Sequence, residues 1–382
     1  MIKILLTGDN HFGLNYSRYP DVAEKLKNGR LQSLQKAVDY ANKQNDDFLV
    51  VSGDLFDTVK VPSKLVKSVL EILASFEKTV VVIPGNHDYY SGEEPVWQDF
   101  EDEIAKQGYN NILLLNEFKP FHVDTDDGEE VYFFPAFCQE KKSDKNNLGW
   151  IKAYDFTALP ADAYRVGIAH GTIEGIAPDM KNEYFQMSQS ELSAIPVDAW
   201  LIGHTHIPYP DNLGDEFVEC GKIFNAGTHE QTDLANHTDG ECFEIVLDQN
   251  AAEKVKARKF ISGTYHFNDI DVQVSADPDD TDALKNALEE KTGEPDNKTV
   301  VRAKVSGTVT EDEYKRKKDV YAQVLGSFLT YEIEDADLTE LITDKMIDSE
   351  FAETSFAAKF LKALKEDPKE LQMAYDIVKR CE

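Results

Sequence analysis

Cysteine is scarce in this chain: four residues in 382, Cys138, Cys220, Cys242 and Cys381, with no C-x-x-C pair among them. That argues against a disulfide framework and leaves reduced, partly buried thiols. Long apolar runs are missing as well, since no stretch approaches the roughly 20 residues of a membrane-spanning helix. The N-terminal run Ile2 to Leu6 is too short for a secretory signal and has no cleavage-site pattern, so a cytoplasmic protein without a membrane partner is expected. Gly/Ser linkers, low-complexity tracts and internal repeats are absent. Positive charge is the largest deficit. With 40 Lys and Arg against 71 Asp and Glu the formal charge is -31, which repels polyanions at long range and argues against unaided, non-specific nucleic-acid binding. Two local basic runs, Lys315 to Lys318 and the alternating Lys254, Lys256 and Arg258, read as solvated faces at least as readily as phosphate contacts.

What the chain does have is a set of apolar strands that end in the same kind of polar cluster. Ile2 to Leu6 leads into Gly8-Asp9-Asn10-His11, and Phe48 to Val51 into Gly53-Asp54, with Asp57 three residues on. Thr79 to Val82 runs into Ile83-Pro84-Gly85-Asn86-His87-Asp88, Val166 to Ala169 into His170-Gly171, and Ala199 to Ile202 into Gly203-His204-Thr205-His206. Short continuous apolar runs suit strands covered on both faces. Between the first three, Leu31, Leu34, Val38 and Ala41, then Leu65, Val66, Val69, Leu70 and Leu73 after Pro62-Ser63, recur at helical spacing. The order β-α-β-α-β predicts parallel strands with right-handed crossovers. Open α/β sheets bind ligands outside the carboxyl ends of their strands, which places all five clusters around one crevice.

Each cluster alone is a weak signal, but Asp9, His11, Asp54, Asn86, His87, His170, His204 and His206 all fall at or just past strand ends on one side. Five of the nine histidines belong to this set, so random scatter would need the same coincidence at nearly every strand. Mixed oxygen and imidazole donors suit Mn²⁺, Fe²⁺ or Zn²⁺, and the absence of cysteine from the set argues against a structural thiolate zinc. Seven ligands with one shared carboxylate would hold two ions about 3.5 to 4 Å apart, the arrangement that activates water and clamps phosphoryl oxygens. That chemistry is phosphoester hydrolysis.

The order D-x-H, G-D-x-x-D, G-N-H-D, H-G and G-H-x-H resembles the calcineurin-like metallophosphoesterases over Met1 to about Asp248. "SGDLFDTVKVPS" and "IPGNHD" look most like the SbcD-type DNA repair exonucleases, and less like the phosphoprotein phosphatases, because Thr58 and Val59 follow Asp57 where those have Arg-Gly. The resemblance implies an α/β fold, a β-sandwich flanked by helices, and two divalent ions, manganese foremost. Residue by residue it implies that Asp9, His11 and His206 hold one ion, Asn86, His170 and His204 the other, and Asp54 bridges both. His87 is implied as a catalytic, non-ligating group at the leaving oxygen, with Asp88 as the partner that fixes its tautomer. Asp57 replaces a histidine found in archaeal and eukaryotic members, so a phosphate contact there stays open. Gly227 and Thr228 read either as a strand-end turn or as a substrate contact, and His229 and His237 stay outside the metal set.

Three segments are expected: residues 1–262 as the phosphoesterase domain, 263–335 as a small α+β capping domain, and 336–382 as C-terminal helices. Strands at His266 to Val274, Thr299 to Val305 and Phe328 to Ile333 alternate with helices at Thr281 to Lys291 and Glu311 to Leu325. Leu338, Leu341 and Ile342, then Phe356, Phe360 and Leu364, then Leu371, Tyr375 and Val378 follow helical spacing. In relatives such helices dock on an SbcC-like coiled-coil ATPase; from pattern alone, packing on the chain's own core fits as well. A homodimer is left open. Two functions therefore compete: the nuclease subunit of a DNA repair complex, with DNA as partner, and a small-molecule phosphodiesterase or phosphatase with the same site.

Overall fold

The computed structural model describes residues 1–176, 181–276 and 281–381. They form two compact units, Met1–Tyr265 and His266–Glu382. The side chain of Cys381 lies outside what is described.

In the first unit the chain runs through β1 (Ile2–Thr7), α1 (Ala23–Gln44), β2 (Phe48–Ser52), α2 (Ser63–Ala74), β3 (Thr79–Ile83), α3 (Pro95–Gln107) and β4 (Ile112–Leu114). The β-branched runs of β1 to β4 pair in parallel in that order, as strands joined by helical crossovers do. There follow β5 (Phe121–Asp124), β6 (Glu130–Ala136), α4 (Gly149–Lys152), β7 (Tyr164–His170), α5 (Gln189–Ala194), β8 (Ala199–Gly203), β9 (Val218–Glu219), β10 (Ile223–Phe224), β11 (Glu241–Leu247) and β12 (Val255–Ile261). One sheet has the order β4-β3-β2-β1-β11-β12-β9 and the other β10-β8-β7-β6-β5.

Alternation along the strands assigns the layers. Ile2, Ile4, Leu6, Val50, Val81 and Ile83 of the first sheet pack against Val131, Phe133, Val166, Ile168 and Leu201 of the second. The opposite set, Leu5, Leu49, Val51, Val80 and Val82, packs on Leu34, Val38, Val69, Leu73 and Trp97 of α1 to α3. On the far side Phe134, Ala169, Trp200 and Ile202 pack on Ile151 and Leu192 of α4 and α5. The architecture is a two-sheet sandwich with helices on both outer faces. The five polar clusters therefore come from both sheets, three from β1 to β3 and two from β7 and β8, whose C-terminal ends lie side by side. They do not ring a crevice of one open sheet, because face-to-face burial of two apolar surfaces is what closes this core.

The second unit holds β13 (His266–Val274), α6 (Ala283–Thr292), β14 (Thr299–Val309), α7 (Glu311–Leu325), β15 (Thr330–Glu340), α8 (Asp344–Glu350), α9 (Phe356–Ala363) and α10 (Pro368–Cys381). β13, β14 and β15 form a parallel sheet, and Leu284 and Leu288 of α6 and Val320, Val324 and Leu325 of α7 pack on it. Thr310 begins α7 with a capping box to Glu313. Leu338 is extended and buried in β15, opposite Gly307, so the helical reading of Leu338 to Ile342 is overturned: ladder pairing wins over a short apolar period. Leu361, Leu371 and Tyr375 join Ile342, Ile347 and Phe351 in a separate small core.

Candidate metal centre

The C-terminal ends of β1, β2, β3, β7 and β8 bring all the expected side chains together. Asp9, His11 and His206 form one group of potential ligands and Asp54, His170 and His204 another, with His11, Asp57 and His87 a third that overlaps the first, the donor atoms of each lying within 4.8 Å of one another. His11 Nε2 and His206 Nε2 are 3.0 Å apart. Asn86 Oδ1 completes the second group, at 3.0 Å from His170 Nε2 and 2.9 Å from His204 Nδ1. Asp54 Oδ2 lies between the groups, 3.7 Å from His11 Nε2 and 3.3 Å from His170 Nε2. His170 Nδ1 donates to the Ser52 carbonyl at 2.9 Å, which turns Nε2 toward Asn86 and Asp54.

Backbone geometry shows why glycine flanks these residues. Asp9, His11, Asp54, His204 and His206 all adopt left-handed φ, between 45° and 110°, a conformation non-glycine residues rarely enter outside functional sites. A Cβ at Gly85 would fall on the Asp54 carboxylate, and one at Gly53 on the His170 ring. The glycine of Gly85-Asn86-His87-Asp88 is thus the residue that lets β3 end against the carboxylate shared by both groups.

Electrostatics is dominated by burial. Asp9, His11, Asp54, Asn86 and His170 are all at least 96% buried. Burial pushes the Asp9 carboxyl up to about 6, the nearby His170 charge opposing it. At Asp54 burial acts in the same direction, but the charge and hydrogen bond of His170 outweigh it and hold the carboxylate well below its usual range. Burial lowers His206 to about 3, with the adjacent His11 adding to the effect. A donor set of imidazoles, carboxylates and one amide oxygen, buried and converging without thiolate, fits divalent borderline metals.

One expectation about His87 needs correction. Asp88 does not orient it: Asp88 Oδ2 accepts from Phe56 N at 2.9 Å and Oδ1 from Gly85 N at 2.7 Å, so this carboxylate braces the turn. Instead, His87 Nδ1 donates to the carbonyl of Asp57 at 3.0 Å, and Asp57 Oδ1 lies 3.3 Å from His11 Nδ1. Asp57, left open by the sequence, thus touches both a metal-facing histidine and His87. His87 N also donates to Asp54 Oδ1 at 2.8 Å, and its side chain keeps 35% exposure. Thr228 accepts from Asn236 within a turn, His229 donates to the Arg30 carbonyl, and His237 is exposed, so none joins the cluster. Tyr184, which no sequence pattern singled out, tilts its ring against His204 at 5.0 Å between centroids.

A family model described as calcineurin-like phosphoesterase matches residues 2–208, more than half of the chain. This chain belongs to that family. Members of the family are phosphoester hydrolases with a dinuclear divalent-metal site, which the two donor groups match. An uncharacterized metallophosphoesterase, YhaO of Bacillus subtilis, is 24% identical over 201 residues, 51% of this chain; the chain spans 45% of that relative's length. The DNA double-strand break repair protein Mre11 of Archaeoglobus fulgidus is 22% identical over 383 residues, covering 95% of this chain and 81% of that protein. Mre11 of Saccharolobus solfataricus is 25% identical over 260 residues, 60% of each chain. Among solved structures, the calcineurin-like phosphoesterase YfkN of Bacillus subtilis aligns with 68% of this chain and 90% of its own at 14% identity and a TM-score of 0.40.

Proposed function

We propose that this phosphoesterase is a manganese-dependent DNA nuclease, the nuclease subunit of an SbcCD-type repair complex. The observation that carries the reading is the extent of the Archaeoglobus match, which runs through the second unit as well as the first, whereas the family model ends at residue 208. Asp9, His11 and His206 would hold one ion and Asn86, His170 and His204 the other, with Asp54 shared. When bound, the ions supply Lewis-acid polarisation of the phosphoryl group and make a water acidic enough to attack near neutral pH. The chain's own residues do the rest. With Nδ1–H committed to the Asp57 carbonyl, His87 presents Nε2 to the departing oxygen, and it is the doubly protonated imidazolium that can hand the Nε2 proton over, leaving the neutral Nδ1–H ring. Tyr184 offers an aromatic face at the rim of the second group, suited to a base.

The second unit supports a partner. Phe356 and Phe360 stack in parallel on α9 at 82% and 40% exposure, and Met373 and Ile377 of α10 are 67% and 56% exposed. Such a doubled apolar helix face suits docking on a coiled-coil ATPase, which would also supply the DNA-binding charge this chain lacks.

A small-molecule phosphodiesterase is the second reading, favoured by charge. The basic runs are largely spent internally: Lys315 pairs with Glu311, Lys317 with Asp335 at 2.9 Å, Lys256 with Glu253 at 2.6 Å and Arg258 with Glu244 at 2.6 Å. Turnover of linear duplex DNA, bis-p-nitrophenyl phosphate and cyclic nucleotides, each with Mn²⁺, separates the two. DNA cleavage that survives purification and disappears in Asp54→Ala supports the nuclease; cyclic-nucleotide hydrolysis far faster than any DNA cleavage rejects it.

A further inference from the structure

We infer that Arg30 is a positioning residue for one of the two metal sites, the one built on Asp9, His11 and His206. The inference rests on the two-ion reading above. Arg30 lies on α1 and is 1% exposed, yet among the described residues no carboxylate pairs with it. The carboxylates of Glu230 and Asp57 feel its charge without pairing with it directly, so the donors of this costly buried guanidinium are free to bind backbone. They hold the ligand loop: Nε donates to the Asn10 carbonyl at 2.8 Å and Nη2 reaches the Asp9 carbonyl at 3.5 Å, while Nη1 donates to the Tyr16 hydroxyl at 3.2 Å.

Those carbonyls lie between Asp9 and His11, both of which have left-handed φ, 49° and 45°. On the N–H side the loop is fixed by Asp9 N to Gly53 O at 3.0 Å and His11 N to Asp54 O at 2.9 Å. On the carbonyl side Arg30 holds it. The residue is itself anchored, because its own carbonyl accepts from buried His229 Nε2 at 2.9 Å, and one turn along α1 Ser33 is bound by Glu230. Glu230 in turn accepts from Thr264 N at 2.8 Å and Tyr265 N at 2.6 Å, so α1 has little freedom to shift. The second group has different supports, Ser52 O at His170 and Lys141 O at Asn86, neither of which involves Arg30. This asymmetry makes the role specific to one ion.

Arg30→Lys is the informative variant, since it keeps the charge and removes the planar fork, so that any loss is geometric and not Coulombic. Manganese titration of the metal-stripped full chain by calorimetry, with the Mn²⁺ paramagnetic resonance spectrum alongside, should give two ions in the wild type. In Arg30→Lys one ion should bind about 10- to 100-fold more weakly, the range for a lost group that orients a ligand. The spectrum at one equivalent should shift from a coupled pair toward an isolated ion. Combining it with His206→Ala should add no further loss, because both act on the same ion. If Arg30→Lys does not fold, Tyr16→Phe, which frees Nη1, should weaken the same ion by a smaller factor. Two ions bound with wild-type affinities in the variant, or both weakened equally, would overturn the role while leaving the two-ion reading intact. A wild type that binds fewer than two ions overturns that reading and this inference together.

Discussion

His87 and the residues around it separate binding from chemistry. Because it donates to Asp57 and contacts no candidate ion through its ring in the proposed partition, His87→Ala should keep its manganese and lose roughly 10²- to 10⁴-fold in rate. Part of that loss should be recovered with a p-nitrophenyl ester, whose leaving group needs no proton; metal analysis beside kinetics checks both. Away from the site, Asp46 carries a second single-residue prediction. It is 1% exposed with neither carboxylate oxygen hydrogen-bonded among the described residues, and burial, with Glu244 adding to it, pushes its carboxyl up to about 8. A folded value above the unfolded one, about 3.9, means that the folded state prefers the protonated acid, so the contribution is present below pH 4 and is lost as pH rises to about 8. Asp46→Asn should therefore match the wild type most closely near pH 4 and gain on it by up to about 1.4 kcal/mol per pH unit toward pH 8, read from denaturant melts. The ligand residues were legible because each belongs to a short polar cluster that carries a glycine at a strand end. Arg30 left a fainter trace, a charge on the same helical stripe as Leu26 and Leu34, and the role of Asp57 was hidden because half of it belongs to a backbone carbonyl.

Among the elements, long periodic segments were read well and edges poorly. β1 to β3, α7 and β13 fall where apolar runs or helical spacing put them, since burial on both faces writes itself into composition. β14 was expected to stop before Gly307 but continues to Val309, because the glycine, at φ 109° and next to a register shift between Lys304 and Ser306, is an irregularity inside the strand. β15 runs on past Ile333 to Glu340 through a polar stretch that gives no apolar signal. The two C-terminal helical faces, for which docking and packing on the chain's own core had fitted equally, differ. Leu371 and Tyr375 are buried in their own small core while Phe356 and Phe360 face solvent. Leu361→Ala should cost about 2 to 5 kcal/mol by cavity formation, and Phe360→Ala well under half of that in the isolated chain, measured by chemical denaturation. Loss of ATPase capture in Phe360→Ala without loss of stability is the outcome that the docking proposal expects.

For the whole molecule, charge and architecture set the terms. With a net charge of -31 and most of its basic runs paired internally, the isolated chain should bind DNA weakly, only at low salt and with divalent ions present, as filter binding across a salt series would show. Micromolar binding at physiological salt without metal would contradict it. The sandwich has a further consequence, which is mechanical. In the proposed partition each ion would take ligands from both sheets: Asp9 and His11 follow β1 and His206 follows β8, while Asn86 follows β3, His170 ends β7 and His204 follows β8. Ions held in that way would act as two rivets across the seam where the sheets would otherwise part at one end, and Asp54 would tie the rivets to each other. Pulled from its ends in an optical trap, the metal-loaded first unit should yield at a higher force and in fewer steps than the stripped one, and Asp54→Ala should restore the weaker, stepwise rupture even in excess manganese.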